Sequence, residues 1–144
     1  MLDCPTFILV LLYNCGGSFE SATKLQKIAF LSVFENGLEP FTHFKWHHYG
    51  PYSEELQKTV ENLSEQRLVV EKQLNRTSFS GDAYTIRKLS LTEKGKQLIE
   101  EEISAIDAKD KQALTRTIEQ YADQPLSRIL DYVYKAYNPR DFVE

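Results

Sequence analysis

The pattern of hydrophobic and polar positions predicts a mainly helical chain with a strand hairpin near its middle. Residues 69–70 and 84–86 are rich in side chains that favour extended structure. The segment 75–82 between them is rich in loop-forming residues, and Thr92 can cap a helix that opens at 91–96. This order of helix, strand, loop, strand and helix is typical of the wing of a winged helix.

Three helices are predicted before the hairpin. The first covers about Pro5 to Asn14 and is apolar on all sides, so it is either a buried helix or a buried strand. We favour the helix, because Pro5 suits a first turn and Gly16-Gly17 supplies a left-handed stop. The second runs from about 23 to 36, with Thr23 and Gln26 as a capping box.

The segment between the second and third helices contains a short predicted strand. Polar and aromatic residues alternate from Phe41 to Tyr49, which indicates one buried face, and Gly50-Pro51 then breaks the strand. Ser53 is a good cap for a third helix over about 54–66, and Glu54 suits the positive end of its dipole. About 16 residues therefore separate the second and third helices, against three or four in a helix-turn-helix.

Hydrophobic spacing predicts three more helices after the hairpin. These helices either pack on the winged core or extend it into a dimer arm. We therefore expect an α+β, mainly helical fold in one winged-helix-like domain, 1–144, with a core over about 5–100 and a C-terminal extension over about 101–138. The helices are marked by Leu98, Ile99, Ile103 and Ile106; by Leu114, Ile118 and Tyr121; and by Leu126, Leu130, Val133 and Tyr137, with Pro125 opening the sixth.

Composition and charge exclude several classes of protein. The chain has 144 residues, of which 42% are hydrophobic and 26% charged, as in a folded globular domain. Its net charge of −4 argues against a basic nucleic-acid coat. Residues 71–96 carry six basic and three acidic groups, so the predicted wing is net positive while the segments on both sides are net negative.

The sequence also indicates a cytoplasmic protein. Cys4 and Cys15 are too few for a disulfide framework and lack metal-type spacing. The apolar run Phe7 to Tyr13 is too short to span a bilayer, and no basic residue or small-residue cleavage site flanks it as in a signal peptide. We therefore expect no membrane partner.

Two motifs carry a resemblance to known families. Thr23-Lys24-Leu25-Gln26-Lys27 is followed about 20 residues later by Trp46-His47-His48-Tyr49-Gly50-Pro51-Tyr52-Ser53. This order, with the helix from Leu56 to Leu68 behind it, resembles the YwgA-like family and the related Panacea domain of SocA-like antitoxins. The resemblance implies a small, mostly helical prokaryotic protein that binds a partner protein, and it brings no catalytic residues.

The sequence supports two functions, of which binding to a partner protein leads. Tyr and Trp are frequent interface anchors, and the third helix carries four carboxylates against Lys58, which disfavours entry into a DNA groove. The alternative is a winged-helix transcriptional regulator that contacts DNA through its basic wing, as a homodimer built by the C-terminal helices. The partner-binding candidates are Lys24, Lys27, Lys45, Trp46, His48, Tyr49 and Tyr52, and the nucleic-acid-binding candidates are Lys72, Arg76, Arg87, Lys88, Lys94 and Lys96.

Metal and catalytic chemistry find little support in the sequence. His43 and His47 share a strand face but lie too far apart to chelate one ion, and His48 points away. Ser53 is better explained as a helix cap than as a nucleophile, because no oxyanion loop or nucleophile-elbow pattern accompanies it. We expect no enzyme activity, no metal and no cofactor.

Overall fold

The computed structural model describes residues 2–48 and 50–142, and it has the α+β, mainly helical class that the sequence predicts. Six α-helices and five strands occur in this part of the chain. They are, in order, α1 (Cys4–Asn14), β1 (Ser18–Glu20), α2 (Ala22–Phe34), β2 (Lys45–His47), β3 (Gly50–Tyr52), α3 (Glu54–Glu65), β4 (Val69–Thr77), β5 (Ala83–Leu91), α4 (Glu93–Glu102), α5 (Ala108–Tyr121) and α6 (Leu126–Ala136).

Helix α1 is the centre of the hydrophobic core. Every residue from Phe7 to Leu12 is buried, which is why its sequence shows no polar face. The Asp3 side chain caps the helix by accepting a hydrogen bond from the Thr6 amide, and Gly16 and Gly17 adopt positive φ just after its end. The predicted buried helix with a glycine stop is confirmed.

The predicted central hairpin is confirmed as a pair of nine-residue antiparallel strands. β4 and β5 pair along their whole length, from Val69 opposite Leu91 to Thr77 opposite Ala83. β1 pairs with the other edge of β5, so the strand order is β1-β5-β4. The sequence pattern did not predict β1, because three residues are too short to show an alternation of polar and apolar positions.

The start of α2 differs from the prediction. Ser21, and not Thr23, is the cap: its hydroxyl accepts a hydrogen bond from the Lys24 amide, and its own amide donates to the Arg87 carbonyl at 2.8 Å. The reason is β1, which ends at Glu20 and leaves Ser21 to turn the chain with a positive φ of 81°. The capping-box interpretation of Thr23 and Gln26 is therefore wrong.

The segment between α2 and α3 also differs from the prediction. Gly50-Pro51 does not break the strand but forms β3, which pairs with β2 so that Trp46 lies opposite Pro51. Pro51 is tolerated because this sheet has only two strands, so no further strand needs its missing N–H. Residues 50–52 then lead into α3, whose predicted start after Ser53 is confirmed.

The C-terminal helices pack on the rest of the molecule. Leu114 of α5 and Ile129 and Val133 of α6 are buried in the same hydrophobic cluster as α1 and α2. Of the two sequence-based alternatives for these helices, packing on the core is thus the observed one. α4 ends at Glu102, so Ile103 and Ile106 follow it in a short 3-10 turn and a loop.

Two tyrosine hydroxyl groups connect the end of the chain to Glu35, the residue after α2. The Glu35 carboxylate accepts hydrogen bonds from the Tyr132 hydroxyl at 2.5 Å and from the Tyr137 hydroxyl at 2.7 Å. The Tyr137 ring also lies edge-on to Phe30. Among the described helices, none combines the length and the apolar content that a bilayer span requires.

Candidate functional site

The two sequence motifs meet in space through Gln26. Its side-chain amide donates to the Ser53 carbonyl at 2.9 Å and accepts from the Ser53 amide at 2.8 Å, as a neighbouring strand would. Both residues are buried. The glutamine thereby satisfies both polar groups of a buried peptide segment, which fixes the β3–α3 junction against α2.

Lys27 makes the next contact between the motifs. Its side chain is only 1% exposed, and its ammonium donates to the Pro51 carbonyl at 2.7 Å. Burial lowers the pKa of Lys27 to about 8, and no described acidic group opposes that effect. A buried charge without a carboxylate partner is unusual in proteins.

The hairpin of β2 and β3 is held from its other side by α6. The Tyr134 hydroxyl donates to the His48 carbonyl at 3.2 Å, and the Tyr134 and Trp46 rings lie 6.0 Å apart. Gly50 has a φ of +86°, and a Cβ there would lie 3.5 Å from Tyr134 and 3.7 Å from Lys27. The hairpin thus lies between α2 and α6, and Gly50 allows the close approach.

The structure separates the three lysines that we expected in one patch. Lys27 is buried, whereas Lys24 points the opposite way, with its ammonium donating to the Ala122 carbonyl and lying 5.6 Å from the centre of the Phe19 ring. Burial lowers the pKa of Lys24 as well. Lys45 is exposed on β2. Residues three apart on a helix share a face only approximately. Here Lys27 borders one hollow and Lys24 borders another.

Tyr52 connects the hairpin to α3. Its ring lies 4.9 Å from that of His47, and burial followed by the nearby charges of Glu54 and Glu61 raises the pKa of its hydroxyl. Among the described partner-binding candidates, Lys45 and His48 are exposed, and Trp46 and Tyr52 are half-buried. Tyr49 lies outside the described residues.

The exposed side of α3 is acidic. Glu54, Glu55, Glu61 and Glu65 are exposed there, with Lys58 as the basic residue among them. The buried side consists of Leu56, Thr59, Val60 and Leu63.

The basic residues of the β4–β5 hairpin do not share one surface. Lys72 lies directly opposite Lys88, and with Arg76 they occupy one face of the hairpin, because alternate residues of a strand point to the same side. Arg76 is paired with Glu20 at 3.2 Å. Arg87 belongs to the other face, where its guanidinium lies 3.3 Å from Glu71.

Lys94 and Lys96 lie apart from the strands, on the first turn of α4. The Lys94 ammonium donates to the Gln66 carbonyl at 3.2 Å, and Lys96 is exposed. Gly95 between them is buried against Leu68, the residue before β4, since a Cβ there would lie 2.1 Å from the Leu68 carbonyl oxygen. Packing against Leu68 therefore explains the glycine at position 95.

A cleft opens where α2, the two hairpins and α3 meet. Its volume is about 350 Å³. Four of its lining residues were candidates from the sequence: Lys27, His48 and Tyr52 for partner binding, and Arg87 for nucleic-acid binding. The buried contact of Gln26 was not predicted, although a glutamine beside the apolar stripe of Leu25, Ile28 and Ala29 could have indicated it. The lining residues are Ala22, Thr23, Gln26, Lys27, His47, His48, Gly50, Tyr52, Gln57 and Arg87.

The serine and histidine candidates have structural surroundings. Ser53 is fully buried, and its hydroxyl accepts from the Leu56 amide and is hydrogen-bonded to Thr42 at 2.6 Å, so its role as a cap is confirmed. His43 and His47 border a small hollow with Glu54 and Glu55. Within the described residues, no group of three or more histidine, cysteine or acidic side chains is placed to hold a metal ion.

Comparison with known proteins gives no family assignment. No protein-family model matches the chain, and a search of curated proteins finds no match.

Proposed function

We propose that this protein is a non-enzymatic regulatory or adaptor module, built on a winged-helix core, that binds a basic segment of a partner protein. The contact surface comprises exposed and half-buried residues of the β2–β3 hairpin together with the exposed carboxylates of α3, and we call it the hairpin–helix surface. It consists of Lys45, Trp46, His48, Tyr52, Glu54, Glu55, Glu61 and Glu65.

A winged-helix core is supported by the topology. The helix–strand–helix–helix–strand–strand order and the sheet order β1-β5-β4 fit a winged helix in which the first strand adds to the edge of the wing. The chain differs from a helix-turn-helix protein because the β2–β3 hairpin occupies the connection that would be a short turn.

The charge of α3 is the observation that carries the proposal. In a winged-helix DNA binder this helix enters the major groove, where exposed carboxylates would repel phosphates. Here four exposed carboxylates lie along α3, and two of them are close enough to Tyr52 to raise its pKa. An aromatic side chain beside a row of carboxylates suits a partner that presents lysine or arginine.

The resemblance to the YwgA-like family and the Panacea domain adds to this proposal. The motifs that carry it, 23–27 and 46–53, are joined by the contacts of Gln26 and Lys27, so they build the scaffold that presents the hairpin–helix surface. By this resemblance the partner would be a toxin-like protein, and the complex would form in the cytoplasm.

Affinity capture from the native host with matched variants tests the proposal. We expect a partner that binds the natural protein, is lost with Tyr52→Ala/Glu61→Lys and is released at high salt. Glu101→Lys makes the same charge reversal on exposed α4 and should retain the partner. Equal capture by both variants, or no specific partner with any of the three, would contradict the proposal.

A second candidate function, DNA binding through the wing, is favoured by one observation. Phe79 is fully exposed at the tip of the long β4–β5 hairpin, and Lys72 and Lys88 lie together on one face behind it. Apolar wedges beside basic residues occur in proteins that bind the minor groove. A gel shift with duplex DNA at low salt, abolished by Lys72→Glu/Lys88→Glu but not by Lys109→Glu, would establish this function, whereas no shift at low salt would exclude it.

A further inference from the structure

The cleft between α2 and the two hairpins contains an unusual combination of charges. Its described lining residues include the lysine Lys27, the arginine Arg87 and two histidines, and no aspartate or glutamate. The whole chain, in contrast, has 21 acidic and 17 basic residues. A cleft that brings the Lys27 and Arg87 cations together favours an anion, with Glu71 offsetting part of the Arg87 charge.

Lys27 gives this cleft a buried positive charge. The side chain is 1% exposed, and its contact with the Pro51 carbonyl uses one of the three ammonium protons. No described acidic group lies close enough to influence its pKa, which burial alone lowers to about 8. At neutral pH the group therefore remains mostly protonated, with two donors unmatched among the described residues.

The remaining lining groups are further hydrogen-bond donors. Ala22 and Thr23 form the first turn of α2, where backbone amides have no acceptor within the helix. His47 and His48 also line the cleft and are exposed. The Arg87 guanidinium lies 3.3 Å from Glu71 and is about half exposed, so it keeps donors available to a ligand.

We propose that this cleft is a binding site for a small molecule that carries a phosphate monoester. The phosphate would accept hydrogen bonds from Lys27 and from the first turn of α2, with His47, His48 and Arg87 around it. A phosphate dianion matches the Lys27 ammonium and the Arg87 guanidinium better than a single carboxylate does, and its tetrahedral oxygens suit donors that converge from several directions. The volume of about 350 Å³ lies within the range of ligand pockets.

This site is independent of the hairpin–helix surface in its main contacts. Lys27, Thr23 and Arg87 belong to α2 and β5, whereas the carboxylates of the proposed protein contact belong to α3. His48 and Tyr52 border both. A bound phosphate compound would thus add a ligand next to the proposed protein-binding surface, and either function can be tested without the other.

Amide chemical-shift titration with phenyl phosphate tests the proposal, with acetate and sodium chloride at the same ionic strength as comparisons. We expect saturable shifts at Ala22, Thr23, His47 and His48 with phenyl phosphate, at least tenfold weaker binding of acetate and no saturation with chloride. Lys27→Met should weaken phenyl phosphate binding at least tenfold, whereas Lys24→Met, on the same helix but outside the cleft, should change it less than twofold. Equal binding of acetate, or an unchanged affinity in Lys27→Met, would overturn the proposal.

A measurement on the natural protein keeps the test valid if Lys27→Met does not fold. The carbon-13 shift of the Lys27 side chain reports its protonation, and saturating phenyl phosphate should raise its pKa, because a neighbouring anion favours the charged form. The same ligand should leave the side chain of Lys24 unaffected. A Lys27 titration that is identical with and without phenyl phosphate would overturn the proposal.

Discussion

At the scale of single residues, the contacts of Gln26 and Lys27 explain why two distant motifs belong together. The Gln26 side chain forms hydrogen bonds with both the amide and the carbonyl of the buried Ser53. Lys27 donates to the Pro51 carbonyl two residues earlier. Both side chains start from the same helix, one residue apart, and reach the same segment. The two polar residues therefore hold together a junction that apolar side chains would leave with unsatisfied peptide groups.

Replacement of Gln26 by methionine should destabilise the fold strongly. The side chain has a similar size, but the Ser53 amide and carbonyl would be buried without partners, at a cost of about 2 to 4 kcal/mol. Urea denaturation of Gln26→Met measures this loss. Gln73→Met changes an exposed glutamine of β4 and should alter the free energy of unfolding by less than about 0.5 kcal/mol. Equal stabilities of the two variants would contradict the role given to Gln26.

The buried Lys27 should make stability depend on pH in a defined direction. Its pKa is about 8 in the folded protein and about 10.4 in an unfolded chain. Below pH 8 both states hold the proton and the folded state bears the cost of a buried charge. Between these two pKa values the unfolded state binds one more proton, so the stability contributed by this group rises with pH.

The pH effect can be isolated by comparing the natural protein with Lys27→Met in urea denaturation at pH 7 and pH 10. The natural protein should gain up to about 3 kcal/mol relative to the variant over this interval. Lys72→Met removes an exposed positive charge from β4 and serves as the matched control. A difference between the natural protein and Lys27→Met that does not change with pH would refute a destabilised buried ammonium.

At the scale of elements, the first turn of α4 is placed against Leu68, the residue before β4. The Leu68 carbonyl accepts from the Thr92 amide at 3.1 Å, and the Thr92 hydroxyl also reaches it. Gly95 faces the same carbonyl, so the helix can start close to the strand only because this residue has no side chain. The position of α4 beside the start of β4 thus depends on the three positions Leu68, Thr92 and Gly95.

Gly95→Ala should reverse the usual effect of this substitution in helices. Alanine ordinarily stabilises a helix interior relative to glycine by about 1 kcal/mol. Here its Cβ would lie 2.1 Å from a backbone oxygen, so the helix must shift and we expect a loss of about 2 kcal/mol or more. Thermal unfolding measures the change, with Lys96→Ala at the exposed neighbouring position as the control. A Gly95→Ala protein as stable as this control would contradict the close packing.

Long and strongly patterned elements were predictable from the sequence, and short ones were not. α1 and α3 extend over 11 and 12 residues, and their limits were predicted within one residue. The β4–β5 hairpin was predicted with a loop that is too long, because Asn75 to Thr77 belong to β4. β1 and β3 have three residues each, and tertiary pairing decides their conformation. The cleft was not predictable, because β5 brings Arg87 next to α2 through a pairing with β1 that the sequence pattern does not indicate.

At the scale of the whole molecule, charge is distributed by element. The exposed side of α3 is acidic, the outer face of the β4–β5 hairpin carries Lys72, Arg76 and Lys88, and the cleft between them gathers Lys27 and Arg87. We propose that these separate regions serve a basic partner and an anion. The proposed adaptor function follows from the first region and the proposed phosphate site from the last.

Hydrogen–deuterium exchange of the protein, free and bound to its captured partner, tests the central claim most directly. The claim is that the hairpin–helix surface binds a partner protein. We expect slower exchange in residues 45–48, 50–52 and 54–65 on binding, with the β4–β5 hairpin unchanged. Protection confined to residues 69–91, with the hairpin–helix surface exchanging as in the free protein, would contradict it.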